Sequence, residues 1–309
     1  MKKLSVIIPV YNEAENVGPL YGELKQVLAG IMAEPEIIFI NDGSSDNTLE
    51  KLKELSNVKI VNFRKNYGQT ASLQAGFDLA EGDVIVSLDG DGQNDPADIP
   101  LLLAKLNEGY DVVCGWRWQR HDSFLKKFVS GGANFLRKIF VKDNVHDSGC
   151  TLRAYRQEAV KSLELSGELH RFIPALVQLN GFKVTELKVN HRPRLQGVTK
   201  YSYGRVLKGL IDIISVWFWR KYAGRPLHLF GGIGLILIMA GLVLGLYLFI
   251  ARLLGYLTLS DKIWPLVDVL MILSGIQLFV SGIIADIAVK GFDRSSRKKP
   301  YAIKEIIEQ

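Results

Sequence analysis

Two long runs almost without charge, residues 227–250 and 264–289, constrain this chain more than any other feature. Each meets the roughly 20 apolar residues that a helix needs to cross the hydrocarbon core of a bilayer. Two such runs in tandem are rare in soluble domains. They predict a membrane-spanning segment at 226–290 with helices at about 227–252 and 264–289. The flanking charges set the expected orientation. Arg220, Lys221 and Arg225 precede the first run, and Lys290, Arg294, Arg297, Lys298 and Lys299 follow the second. The short connecting loop offers only Arg252 and Lys262. By the positive-inside rule both ends lie in the cytoplasm and the loop outside, in the plasma membrane.

The N-terminal Met1-Lys2-Lys3 and the apolar run 4–10 superficially resemble a signal peptide. That run is too short, and Pro9, Asn12 and Glu13 interrupt it. The first domain is therefore expected to stay in the cytosol. Cys114 and Cys150 are the only cysteines, which fits reduced thiols rather than a disulfide framework. The net charge of +6 tracks the membrane edges and not one soluble face, so nucleic acid is not expected as a partner.

Residues 1–116 alternate short β-rich runs (4–10, 36–41, 58–62, 84–88, 111–116) with helical patterns (13–28, 46–55, 69–80, 98–109). Such alternation predicts an α/β domain with a mostly parallel, Rossmann-like sheet, here placed at 1–201. A helical stretch near 124–140 and a strand at 184–189 are expected further on. In 202–225, Val206, Leu210, Ile213 and Trp217 share one helical face and Arg205, Lys208, Asp212 and Ser215 another. This reads as an amphipathic interfacial helix. Residues 291–309 read as a basic cytoplasmic tail. Within the spans, Gly241 and Gly245 have the spacing of close helix packing. Self-association through these helices is left open.

Ligands of such sheets bind beyond the carboxyl ends of the strands. The first strand ends Pro9-Val10-Tyr11-Asn12-Glu13, and the second runs into Asn41-Asp42-Gly43-Ser44-Ser45. Asp42 can accept hydrogen bonds from a base or ribose, while Gly43 lets backbone approach a ligand. The fourth runs into Asp89-Gly90-Asp91-Gly92-Gln93. Two carboxylates one residue apart at a strand end suit a hard cation, Mg2+ or Mn2+, bridging substrate phosphates. Gln93 adds a carbonyl oxygen. A calcium loop of the EF-hand type is excluded because Pro100 stands where its twelfth-position glutamate belongs.

Taken in order and spacing, the segments 5–13, 41–45, 64–69 and 89–93 resemble the GT-A fold of family 2 glycosyltransferases. The two C-terminal spans narrow the resemblance to the polyprenyl-phosphate branch. The segments 147–156 and 197–201 are similar to that branch's later motifs, in the aminoarabinose transferase version. The resemblance implies an inverting transfer of one sugar from a nucleoside diphosphate, UDP favoured over GDP, to a polyprenyl phosphate such as undecaprenyl phosphate. It assigns the nucleotide to Pro9, Tyr11, Glu13, Asp42 and Asp89. The metal falls to Asp91, Gln93 and Asp89. The donor and acceptor phosphates fall to Arg117, Arg194 and Lys200. Asp89 and Asp91 become catalytic, and Asp147 is the candidate base, because Cys150 stands where some relatives carry an acidic residue. Two alternatives stay open from the sequence: a different lipid or polysaccharide acceptor, and a catalytically inactive membrane scaffold.

Overall fold

The computed structural model describes residues 1–118, 145–165, 167, 169–193, 218, 222, 225–256, 263–295 and 300–309. The chain divides into two compact units, Met1–Ile214 with Lys299–Gln309, and Ser215–Lys298.

The first unit is built on one eight-stranded mixed sheet. Its strands are β1 (Lys3–Val10), β2 (Glu34–Asn41), β3 (Val58–Phe63), β4 (Val84–Ser87), β5 (Val112–Arg117), β6 (Arg153–Arg156), β7 (Val184–Val189) and β8 (Ile303–Glu308), in the order β7-β5-β6-β4-β1-β2-β3-β8. β1 pairs in parallel with β2 and β4, β2 with β3, and β5 with β7. β6 runs antiparallel between β4 and β5, and β8 runs antiparallel along β3. The central strands read as continuous apolar runs because both their faces are covered. Val6, Ile8, Phe39 and Val86 face one buried layer, and Ile7, Ile38, Ile40 and Ile85 the other. Helices α1 (Val17–Ala29), α2 (Thr48–Lys53) and α4 (Ile99–Leu106) contribute to the first layer. Helices α3 (Gln69–Leu79), α5 (Gln157–Lys161) and α6 (Ile173–Leu179) contribute to the second.

The expected strands appear within one or two residues of their predicted bounds, and 184–189 matches β7. Two strands are new. β6 lies in a stretch read as loop; its four residues are too few to carry a periodic signal. β8 corrects the reading of 291–309 as a tail. Residues 303–308 close the β3 edge instead, burying part of Ile303 against one layer and Ile307 against the other. An irregularity in the pairing between Asn62 and Phe63 accompanies this change of side. The predicted helix at 124–140 lies outside the described residues, and so does the one at 202–225 apart from Phe218 and Tyr222, which are helical, and Arg225. Cys114 and Cys150 are buried and not joined in a disulfide.

The second unit contains α7 (Pro226–Leu253) and α8 (Trp264–Ser295). The 28 residues of α7 extend about 42 Å at 1.5 Å per residue, enough to cross a roughly 30 Å hydrocarbon layer. Their outward surfaces are apolar: Ile236, Val243, Leu246, Leu266, Leu270 and Ile284 are all exposed. A soluble core helix would bury these side chains, so the pair forms a two-helix transmembrane anchor. Glycines bring the two backbones together. A Cβ on Gly234 would lie 2.6 Å from the Gly275 carbonyl oxygen, and one on Gly241 2.5 Å from Ile272.

Candidate active site

In the first unit β1 lies between β2 and β4, so the connections leaving it and its neighbours diverge there and open a crevice. Four chain segments line a cavity of about 310 Å³: Pro9, Val10, Tyr11 and Glu13; Asp42; Asn66, Gly68, Gln69 and Ser72; and Asp89, Gly90 and Asp91. The predicted residues Pro9, Tyr11, Glu13, Asp42, Asp89 and Asp91 are therefore together, although up to 82 positions separate them.

The loops after β1 and β2 lock to each other. Asn12 adopts φ +58, and its side-chain oxygen accepts from the Ser45 amide at 2.8 Å. The Asn12 amide donates to Ser44 Oγ at 3.0 Å. Gly43 sits at φ +66, where an added Cβ would be 2.4 Å from the Lys65 carbonyl carbon, so a glycine is required. Asp42 is 4% exposed and is held by two backbone amides, Tyr67 at 2.7 Å and Gly68 at 2.9 Å. Burial raises its carboxyl above the ordinary value, and the two amides partly offset this. Each oxygen keeps a second lone pair for the cavity.

Beyond β4, Gln69 Nε2 donates to Asp89 Oδ1 at 2.7 Å. The Gln93 amide donates to Asp91 Oδ1 at 3.1 Å, closing a tight turn over the loop. Burial, and then the neighbouring charge of Asp91, push the Asp89 carboxyl up to about 6. Two carboxylates that repel each other beside an open cavity fit a cation, which would relieve the repulsion. No cluster of three or more histidine, cysteine or acidic side chains forms a metal cage among the described residues. The two carboxylates of Asp89 and Asp91 suit Mg2+ or Mn2+, which commonly keep positions for water and substrate phosphate. Gln93 is half-buried, and its Nε2 lies 3.5 Å from the Arg192 carbonyl oxygen.

Arg117 ends β5 and forms a two-armed ion pair with Asp147, Nε to Oδ2 at 2.6 Å and Nη2 to Oδ1 at 2.8 Å. Asp147 also accepts from the Gly149 amide at 3.2 Å. Burial works against the charge on Arg117, but the Asp147 bonds outweigh it and raise its pKa. The field of Arg117 reaches Asp89 and favours its ionised form. Arg194 and Lys200 lie outside the described residues.

Sequence reasoning missed Asn94. Its Oδ1 accepts from the Asp89 amide at 3.1 Å and from Thr151 Oγ1 at 3.2 Å, joining the loop after β4 to the loop that carries Asp147. No local spacing announces such a contact. Gln69 lies in the segment 64–69 that carries the family resemblance, and its side-chain amide ties that segment to Asp89.

A family model described as Glycosyl transferase family 2 matches residues 5–164. Dodecaprenyl-phosphate galacturonate synthase from Rhizobium johnstonii is 35% identical, across 99% of this chain and 93% of that protein. Undecaprenyl-phosphate 4-deoxy-4-formamido-L-arabinose transferase from Proteus mirabilis is 31% identical, across 99% and 94%. Glucosyl-3-phosphoglycerate synthase from Mycobacterium tuberculosis, crystallised with Mn2+, uridine diphosphate and phosphoglyceric acid, has a similar fold. It superposes with a TM-score of 0.56 at 17% identity, covering 71% of this chain and 78% of that one. The mixed sheet is thus GT-A-like, and the chain belongs to glycosyl transferase family 2, as an enzyme with a two-helix transmembrane anchor.

Proposed function

We propose that the chain transfers a single sugar from a nucleoside diphosphate, a UDP-sugar in the first instance, to a polyprenyl phosphate at the cytoplasmic membrane face, with inversion. The observation that carries this reading is the cavity where Asp42, Asp89 and Asp91 converge, on a chain that also carries a membrane anchor. Its near-full-length relatives are named for dodecaprenyl-phosphate and undecaprenyl-phosphate chemistry, which supports the acceptor class. The structural neighbour's crystallisation with uridine diphosphate and Mn2+ supports the donor and metal classes.

In this reading the loops after β1 and β2 hold the nucleotide through Pro9, Tyr11, Glu13 and Asp42. Asp89 and Asp91, with Gln93 beside them, hold the divalent ion. When bound, that ion supplies positive charge that stabilises the departing diphosphate. An oxygen of the acceptor phosphate forms the new bond at the anomeric carbon as the bond to the nucleoside diphosphate breaks. A phosphate monoester has its last pKa near 6, so the nucleophile is largely ionised at neutral pH and needs no base. This suits Asp147, whose carboxylate is engaged with Arg117 and the Gly149 amide. We assign it the task of aiming the Arg117 fork at phosphate oxygens. Arg194 and Lys200 remain assigned to the same phosphates. The test is label transfer from a UDP-sugar to added polyprenyl phosphate.

Charge and connectivity support the proposed orientation. Basic residues flank both outer ends of the helix pair, and β8, which follows α8, pairs within the sheet that precedes α7. A chain that returns to its own sheet crosses the bilayer an even number of times. The interfacial segment 202–225 and the catalytic domain 1–201 keep their proposed bounds, with β8 added to the latter. A cysteine replacing Tyr256, in the turn after α7, is expected to react with an impermeant maleimide on intact cells. One replacing Lys304, on β8, is expected to react only after lysis. Native Cys114 and Cys150 are buried and give little background. The opposite labelling pattern would place the donor cavity away from the cytoplasm and contradict the proposal.

A further inference from the structure

We propose that β8, the strand reached only after both membrane helices, is a working part of the donor site: it positions the loop that carries Asp42. The inference rests on the reading of the cavity as the nucleotide site.

Two paths of direct contact run to that loop, one from the residues just before this strand and one from the strand itself. The first is aromatic. Tyr301 is 8% exposed, its O–H donates to Asp78 Oδ2 at 2.7 Å, and the Arg64 amide donates to the adjacent Ala302 carbonyl at 3.2 Å. The Tyr301 ring stacks on Phe63, with centroids 5.3 Å apart and planes at 11°. Phe63 meets Tyr67 edge-on at 5.7 Å. The Tyr67 and Gly68 amides are the donors that hold the two oxygens of Asp42.

The second path is polar. Glu305 accepts from Asn62 Nδ2 at 2.9 Å. Asn62 Oδ1 accepts from Asn41 Nδ2 at 3.0 Å. Asn41 Oδ1 then accepts from the Ser44 amide at 3.2 Å and from Ser44 Oγ at 2.5 Å. Ser44 Oγ in turn accepts from the Asn12 amide. Asn41 and Asn62 are 1% and 4% exposed, so neither can replace a lost partner with bulk water. A side-chain amide is symmetric enough to turn over. The Glu305 carboxylate can accept but not donate, and so it dictates which end of Asn62, and hence of Asn41, faces Ser44.

A plain edge cover would need neither path, since main-chain pairing along Lys59, Ile60, Val61, Asn62 and Phe63 suffices for that. The consequence is one of assembly. The donor loop is completed by residues that follow both membrane helices in the sequence.

The experiment measures affinity for uridine diphosphate with Mn2+, and for guanosine diphosphate alongside, by calorimetry on the full chain in nanodiscs. A chain ending at Pro300 and the variants Glu305→Ala and Glu305→Gln are compared. The shortened chain is expected to lose at least about tenfold in affinity, and a synthetic 299–309 peptide to restore it by pairing with the vacated edge. Glu305→Ala should lose several-fold with little change in melting temperature. Glu305→Gln keeps an acceptor oxygen but adds a donor that can turn toward Asn62, and should recover part of the loss. If the shortened chain does not fold, the Glu305 pair decides alone. Wild-type affinity in Glu305→Ala, or equal losses in the Ala and Gln variants, overturns the inference while the donor reading stands. A wild-type chain that binds neither diphosphate overturns the donor reading, and this inference with it.

Discussion

Asp91→Asn is expected to lower sugar transfer by at least about 10²–10³-fold, the range seen when one preorganised charge-stabilising group is removed. Chelation of divalent ions should abolish transfer, and Mn2+ or Mg2+ should restore it in the wild type only. The substitution is nearly isosteric, and an asparagine oxygen can keep the bond from the Gln93 amide that Asp91 Oδ1 accepts at 3.1 Å. It also removes the like charge that helps raise Asp89 to about 6. The fold is therefore expected to persist, with an unchanged circular dichroism spectrum and a similar melting temperature. A folded Asp91→Asn chain with near-normal transfer, or full transfer in excess chelator, removes the metal from the mechanism.

Arg117 is expected to govern the acceptor. A charge-assisted contact to phosphate is worth roughly 1.5–3 kcal/mol, so its loss corresponds to about ten- to a hundredfold in acceptor efficiency. Arg117→Lys keeps the charge but cannot reproduce the fork that meets Asp147 at 2.6 and 2.8 Å, so recovery should be partial. Arg117→Ala leaves Asp147 buried at 8% exposure without its main counter-charge. Breaking a buried pair this way costs about 3–5 kcal/mol in stability. The Arg117→Ala, Asp147→Ala double variant separates the two effects: it should regain stability and still fail with the acceptor. Asp147→Asn distinguishes aiming from proton transfer. An aiming role raises the KM for polyprenyl phosphate and spares kcat at saturation. A base would instead collapse kcat at every acceptor concentration. Affinity for uridine diphosphate is the control, and losing it in Arg117→Lys would move Arg117 to the donor site.

Much of this architecture was legible because its determinants are local. Strands such as β1 and β2 announce themselves as short apolar runs, and the loops that follow carry their chemistry in adjacent residues: Asp42-Gly43, and Asp89 with Asp91. The membrane helices are equally local, since length and apolarity alone define them. What escaped was long-range. The Arg117–Asp147 pair joins residues 30 apart, and Asn94 reaches Thr151 across 57 positions. The Glu305–Asn62 bond spans 243. No periodicity records such contacts, because they arise only once strand order is set. β8 was hidden for the same reason. Its residues look like a charged tail until β3 supplies an edge on which Ile303 and Ile307 can be buried.

The most direct test of the central claim uses membranes containing the full chain, a radiolabelled UDP-sugar series, Mn2+ and added polyprenyl phosphate. The expected product is extracted with organic solvent, depends on the added lipid phosphate, and releases its sugar under mild acid, as a sugar phosphodiester does. Label appearing in polymer, or in lipid regardless of added polyprenyl phosphate, would contradict the proposed acceptor.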